Sequence, residues 1–265
     1  MSITKNELKD IKSLLSNKGR KTQKRFLAEG VRLLEEAIHH NFLPITVYIA
    51  PSVIASREKS LLIKMKKRNV NIKEISKKQL SIITGTENPQ GIVAVFNIPV
   101  NKPTQHSYSN YRRILWCYDI SDPGNLGTLI RSSLAFGFKL LILSGKTVDI
   151  YAPKVVRSTA GAVFGLTVIK RETDEILKFA RERKLSIITA DINGDNADYF
   201  LKKKLKNNRF ILVIGSEAHG LPDTIKNNAD FAVRIEHSDN VESLNAAVAG
   251  SIIMSNIYSF YESKK

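Results

Sequence analysis

Residues 113–144 read RILWCYDISDPGNLGTLIRSSLAFGFKLLILS. Two apolar runs, RILWCYDI and KLLILS, bracket a stretch, NLGTLIRSSLAFG, whose apolar residues recur at helical spacing. The pattern is strand, helix, strand. Parallel strands need a crossover of this length, so the two strands lie parallel. Neither run alternates apolar with polar residues, so both faces of each strand are covered. This one unit predicts an α/β fold with a mainly parallel sheet and helices on both faces.

Toward the C-terminus the same alternation continues. LTVIK, SIITAD, RFILVIGS and FAVRI read as strands. Between most of them lie helical patterns, YAPKVVRSTAGAVFG, ETDEILKFARERK and DYFLKKKLK, and a last helix starts near Ser243. Toward the N-terminus, NELKDIKSLLSNKGRKTQKR reads as a short helix followed by a basic linker. RFLAEG, ITVYIA, NIKEIS and GIVAVF then read as strands. VRLLEEAIHH, SREKSLLIKMKKRN with Ser56 as a cap, and KKQLSIITG read as the helices between them. That is a small α/β sandwich. NIPVNKPTQHSYSN, residues 97–110, carries two prolines and few long aliphatics, and reads as a linker. The expected division is an N-terminal domain at 1–100, a linker at 101–111 and a C-terminal domain at 112–265.

Composition narrows the function. The chain has 265 residues, 43% of them hydrophobic, enough for a full core. No apolar run approaches the roughly 18 residues of a membrane span. The N-terminal MSITKNELKD is polar and of mixed charge, unlike a signal peptide. The single cysteine, Cys117, allows no internal disulfide and sits in an apolar run as a buried strand residue. A cytoplasmic location is expected. The net charge is +16, and it is uneven. Residues 1–110 hold 19 Lys+Arg against 8 Asp+Glu, while 111–265 hold 22 against 17. A polyanion held by the basic N-terminal part and processed by the other part fits this asymmetry. Solvated lysines in a Lys- and Asn-rich composition are the plainer explanation. No basic amphipathic helix of the membrane-surface type stands out, so nucleic acid is the favoured partner.

In open parallel sheets, ligands bind beyond the carboxyl ends of the strands. No G-x-G-x-x-G follows the first strand of the C-terminal part, and no P-loop, H-E-x-x-H or G-x-S-x-G occurs. His39, His40, His106, His219, His237 and Cys117 show no metal-ligand spacing, so no metal is expected. Three strand-end stretches remain. In DISDPGNLGTLIRS, Pro123, Gly124 and Gly127 make a tight turn, Asn125 is placed to cap the helix, and Arg131 follows on it. In LVIGSEAHGLP, Gly215 lets a ligand approach the backbone and Glu217 puts a charge at the sheet edge. In IEHSDNVESLNAAVAGSI, residues 235–252, a polar loop runs straight into a helix of small residues. Taken singly, capping and turn formation account for each stretch about as well as binding does.

In combination they are more specific. Asn125-x-Gly-x-x-x-Arg131, then Gly-Ser-Glu217-x-x-Gly-Leu-Pro, then Glu-Ser243-Leu-Asn245 followed by small residues resembles the SpoU/TrmH family. These are S-adenosylmethionine-dependent RNA ribose 2′-O-methyltransferases of the SPOUT class. RFLAEGVRLLEEAI and TGTENPQGIVAVF resemble the N-terminal RNA substrate-binding domain that many members carry. The resemblance implies a trefoil knot in the C-terminal domain, although connections are generally unknotted. It implies a homodimer formed through that domain. It implies S-adenosylmethionine contacts at Gly215, Ile235 and Leu244, with Ala190 nearby. It implies that Ala246, Ala247, Ala249 and Gly250 line close helix packing or the dimer seam.

It also implies a catalytic Arg131 supported by Asn125, Glu217, Ser243 and Asn245. An arginine keeps its charge in proteins and makes a poor base. The reading preferred here has Arg131 stabilise the forming alkoxide and grip the adjacent phosphate. Asn125, Glu217, Ser243 and Asn245 then orient it and the ribose, and Glu217 is available to pair with it. The expected substrate is structured RNA, 23S rRNA ahead of tRNA. Two readings stay open beside it. One is a non-catalytic RNA-binding or ribosome-assembly protein. The other is a small-molecule methyltransferase, which the basic N-terminal part fits poorly.

Overall fold

A computed structural model describes residues 3–54, 56–99, 108, 110–205, 208–238 and 240–263. Linker residues 101–107 and 109, Asp239 of the last polar loop and the side chain of Ser56 lie outside the described residues. The chain forms two compact units, one of residues 1–100 and 149–165, the other of 101–148 and 166–265.

The first unit opens with α1 (Lys5–Ser13) and α2 (Asn17–Gln23). β1 (Arg25–Glu29), α3 (Val31–His39), β2 (Thr46–Ile49) and α4 (Ser56–Lys67) follow. β3 (Asn71–Glu74), α5 (Lys77–Thr84) and β4 (Ile92–Asn97) complete its first 100 residues. The four strands form one sheet in the order β1-β4-β2-β3. β4 runs antiparallel to β1 and β2, and β3 runs parallel to β2. Segment 15–24, expected as a basic linker, is largely helical instead. Ser16 Oγ accepts the Gly19 amide and starts α2, and Lys24 at φ 52° ends it. The reason is tertiary. Arg20 is buried and donates to the Leu14 and Leu15 carbonyls at 2.9 Å, then pairs with Asp149 at 2.7 Å.

Asp149 belongs to a segment that the sequence boundary assigns to the second domain. Here it completes the first unit. Tyr151 and Phe164 pack against Phe26 with ring centroids 4.7 and 6.2 Å away, and Arg157 reaches Glu29 at 3.4 Å. The segment carries α7 (Pro153–Ser158) and a short 3₁₀ turn at Ala162–Gly165.

The second unit holds β5 (Arg113–Tyr118), α6 (Pro123–Ala135), β6 (Leu140–Ser144), β7 (Thr167–Lys170) and α8 (Thr173–Glu182). β8 (Ser186–Asn196), a short α9 (Ala197–Tyr199) and β9 (Phe210–Ile214) come next. α10 (Asp223–Lys226), β10 (Phe231–Arg234) and α11 (Ala246–Glu262) end it. Its six strands are all parallel, in the order β10-β8-β9-β5-β6-β7. The βαβ reading of residues 113–144 holds, with Ile114 paired to Leu140 on one side and Ile211 on the other.

Alternate side chains of the buried strands serve opposite faces. Ile114, Trp116, Ile142 and Val213 share a core with Ile176 and Leu177 of α8 and Ile225 of α10. Trp116 is fully buried, and its indole N–H is satisfied by Ser144 Oγ at 2.7 Å. On the other face α11 lies against α6 and β9. Gly250 makes that approach possible, since a Cβ there would come within 2.7 Å of Leu129 Cδ2 and 3.2 Å of Ile214. Cys117 is buried as expected, and burial pushes its thiol pKa up, leaving it inert. Tyr108, expected in the linker, is buried in the second unit near Tyr111 and Phe179.

Three boundaries move. Asp122, not Asn125, caps α6, its Oδ1 accepting the Asn125 amide at 2.8 Å. Pro123 takes the first helical position, where its missing N–H costs nothing. α11 starts at Ala246 with Asn245 as its cap, not at Ser243. DYFLKKKLK, expected as a regular helix, forms α9 and then a π-helical turn at Phe200–Lys204.

Candidate active site

Three segments meet toward the carboxyl-end edge of the parallel sheet, one bulging from within β8 and two following β9 and β10. They enclose a cavity of about 730 Å³. Ala190, Gly215, Ile235 and Leu244, the four positions expected to hold the cofactor, all line it. So do Glu217 and Ser243. Its apolar wall includes Ile214, Leu221, Val233 and Ile253. Gly215 has a structural reason to be glycine, since a Cβ there would stand 2.7 Å from the Gly220 backbone. The hairpin-like closure of the loop by Ser216 and Gly220 brings that backbone close.

Beside the cavity sits a cluster of polar side chains from three separate stretches. Because Asp122 caps α6, the Asn125 side chain is left available, and its Nδ2 donates to Glu217 Oε1 at 3.0 Å. Asn245 Nδ2 donates to the same oxygen and to Asn125 Oδ1 at 3.0 Å. The Ala246 amide, at the start of α11, donates to Glu217 Oε1 at 3.2 Å. A carboxylate at a helix N-terminus is favoured by the helix dipole as well. The structure therefore brings Asn125, Glu217 and Asn245 into direct contact, and seats Ser243 on the cavity wall two residues before the cap.

Arg131 is different. It lies on α6 with an exposed side chain, outside the cavity lining. The ion pair with Glu217 that the sequence allowed is not formed; the donors on the Glu217 carboxylate are instead the side-chain amides of Asn125 and Asn245 and the Ala246 N–H, all at Oε1. Among the described residues nothing hydrogen-bonds or ion-pairs with the Arg131 guanidinium.

Sequence reasoning missed Asp191 and Lys226, which also line the cavity and pair at 3.0 Å. Burial alone would raise the Asp191 pKa. The Asn193 amide and the Lys226 ammonium outweigh it and hold this carboxyl below its usual range. No motif marks either residue. The Asp-x-Asn-Gly sequence at the end of SIITAD was the one local signal, as a turn. Among the described residues no group of three or more His, Cys, Asp or Glu side chains is placed to hold a metal ion. Among the same residues, no helix is long and apolar enough to cross a membrane.

With this geometry in place, comparison with known proteins is specific. Residues 112–255 match the SpoU rRNA Methylase family, and residues 5–94 match the MRM3-like substrate binding domain. The chain is 29% identical over 261 residues to the 23S rRNA (guanosine(2553)-2′-O)-methyltransferase RlmP of Bacillus subtilis, covering 96% of each protein. It is 29% identical over 256 residues to the 23S rRNA (uridine(2479)-2′-O)-methyltransferase of Streptomyces viridochromogenes, covering 91% of this chain and 85% of that one. The crystal structure of an AdoMet-bound rRNA methyltransferase from Sinorhizobium meliloti superposes with a TM-score of 0.84 at 27% identity, over 98% of this chain and 97% of that one.

Proposed function

The chain belongs to the SpoU rRNA methylase family, and from that premise we propose that it transfers a methyl group from S-adenosylmethionine to a ribose 2′-hydroxyl of 23S rRNA. The observation that carries this reading is the cavity at the strand ends, with the Glu217 cluster beside it. Its volume suits a small-molecule ligand, for which pockets run about 300–1,000 Å³. Its mixture of aliphatic walls and loop backbone suits a ligand with an adenine at one end and an amino acid at the other. The bound donor supplies an electrophilic methyl on a sulfonium.

The chain's own residues do the rest. The backbone at Gly215, Ile235 and Leu244, with Ala190, holds the donor. Asn125, Glu217, Ser243 and Asn245 set the position of the ribose and keep the loops in register. Holding the attacking oxygen about 3–3.5 Å from the methyl carbon is where much of the rate comes from. Arg131, with no partner among the described residues, grips the phosphate next to the target ribose and stabilises the oxygen as its proton passes to water. The O–CH3 bond forms as the S–CH3 bond breaks and S-adenosylhomocysteine leaves.

Residues 1–100 hold the RNA, 101–111 join the domains, and 112–265, apart from the 149–165 segment that completes the first unit, carry out the transfer. The basic excess in the N-terminal part and its match to a substrate-binding domain support that division. A homodimer through the second unit is part of the same reading. Val248 and Tyr258 on α11 are exposed apolar side chains that a second copy would cover. So is a trefoil knot. After the edge strand β10 the chain returns across the sheet to pack α11 on β9 and α6. Relatives that act on rRNA and the single unpaired cysteine support a cytoplasmic location.

The test is transfer of labelled methyl from S-adenosylmethionine to unmodified rRNA and tRNA, beside an Arg131→Ala control. Label in 23S rRNA that disappears in the variant is the expected result. Label in tRNA alone would replace the substrate. RNA binding without label in either would point to a non-catalytic RNA-binding protein. Binding that ignored ionic strength would count against phosphate contacts altogether.

A further inference from the structure

The cavity is walled by three loops, and each is a separate excursion of the chain. The first is residues 190–194, which leave the β8–β10 ladder. Thr189 pairs with Ala232, but the next pair is Asp195 with Val233, so five residues of β8 arch outward with no ladder partner. The second is the loop after β9, from Gly215 to Leu221, which runs directly into α10. The third is the stretch from Ile235 to Asn245.

Loops freed from a ladder are mobile unless side chains tether them. The second and third loops are tied by Glu217 to Asn245 and the Ala246 amide. The first has a different tether. Asp191 uses Oδ1 to accept the Asn193 amide at 3.0 Å, which shapes the turn from within. It uses Oδ2 to meet Lys226 Nζ at 3.0 Å, at the end of α10. That ion pair joins the first loop to the element that closes the second. Asp191 is the well-covered partner, with its side chain 15% exposed, and Lys226 is 42% exposed. Ile192, between the two bonded positions of the turn, stands 61% exposed at the cavity rim.

The geometry points to Asp191 and Lys226 as a positioning pair that holds the Ala190–Gly194 loop against the methyl-donor cavity. The pair does not touch the reacting atoms. It fixes the wall formed by Ala190 and Ile192, and so it governs how tightly the donor is held rather than how fast the methyl moves. This rests on the donor reading of the cavity.

The experiment is calorimetric titration of the full-length chain with S-adenosylmethionine and S-adenosylhomocysteine. Wild type, Lys226→Met, Lys226→Arg and Asp191→Asn are compared. A partly exposed ion pair is worth up to about fivefold in an equilibrium constant. Lys226→Met and Asp191→Asn are expected to bind both ligands about fivefold more weakly, and Lys226→Arg to recover most of that loss. High salt narrows the gap between wild type and Lys226→Met, because the pair is partly solvent-exposed. In steady-state assays the KM for the donor rises while kcat at saturation changes less. Wild-type binding with unchanged affinity in Lys226→Met overturns the pair's role and leaves the donor reading intact. A kcat loss at constant KM also overturns it. Failure of wild type to bind either ligand removes the donor reading and the pair's role together.

Discussion

Asn245 gives the two ends of its side-chain amide to different elements. Its Oδ1 accepts the amides of Ala247 and Val248 at 3.0 and 3.1 Å and caps α11. Its Nδ2 donates to Glu217 and Asn125. One residue thus starts the helix that packs on α6 and fixes the carboxylate beside the cavity. The polar stretch before α11 therefore caps the helix and reaches the Glu217 cluster through a single side chain.

Asn245→Ala removes the cap and leaves Glu217 short of a donor. Loss of a cap costs about 1 kcal/mol, and loss of a hydrogen bond to a charged group about 1.5–3 kcal/mol. Partial replacement by water at this exposed site reduces the second figure. The expected fall in stability is about 2 kcal/mol, read from urea unfolding, with methyl transfer lost as well. A midpoint equal to wild type would refute the dual role.

Gly250→Ala sets two effects against each other. Alanine in a helix interior gains about 1 kcal/mol over glycine. Forcing a methyl to within 2.7 Å of Leu129 Cδ2 overpacks the α6–α11 contact, at about 1–3 kcal/mol. A net loss is expected, and Gly250→Val loses more. Thermal unfolding of both variants gives the sign, and a stabilised alanine variant would show that the two helices have room to separate.

Arg131→Ala should leave stability within about 0.5 kcal/mol, because the side chain is exposed and has no partner among the described residues. Activity should fall about 10²–10³-fold, the usual result of removing a group that stabilises developing charge. Arg131→Lys retains charge but not the planar fork, and should lose most activity too. Near-wild-type turnover in the lysine variant would leave only a simple charge effect.

Acid should loosen the first unit through Glu7. Burial would raise the pKa of this carboxyl. Hydrogen bonds from Lys73 at 2.8 Å and Tyr48 at 2.7 Å, with the Lys73 charge, outweigh that and hold it low. The unfolded value is about 4.3. The contribution is therefore complete above that value and fades as pH falls through the lower folded value. Urea midpoints of wild type and Glu7→Gln, measured from pH 6 down to 3, should converge at the acid end. A gap independent of pH would show that Glu7 does not act through its charge.

Much of the fold was legible in the chain. The βαβ unit at 113–144 could be read because two short apolar runs, too short for buried helices, bracket a stretch of helical periodicity. The four positions expected to hold the cofactor, Ala190, Gly215, Ile235 and Leu244, line one cavity, because parallel strands end at a common edge and their loops gather there. Caps were less legible. Asp122 and Asn125 are both good cap residues, and which one wins depends on Pro123 taking the first helical position.

What the tertiary structure alone decided has one physical cause, that partners distant in sequence choose one another only once the backbone is folded. Arg20 turns a basic stretch into a helix because Asp149 and two carbonyls are waiting for its guanidinium. Glu217 takes amides from Asn125, Asn245 and Ala246 rather than the guanidinium of Arg131. Asp191 finds Lys226 only because five residues leave the β8–β10 ladder. Local pattern determined most of the elements this protein builds, α2 being an exception. Side-chain pairing across the folded chain decided how those elements close around a cavity.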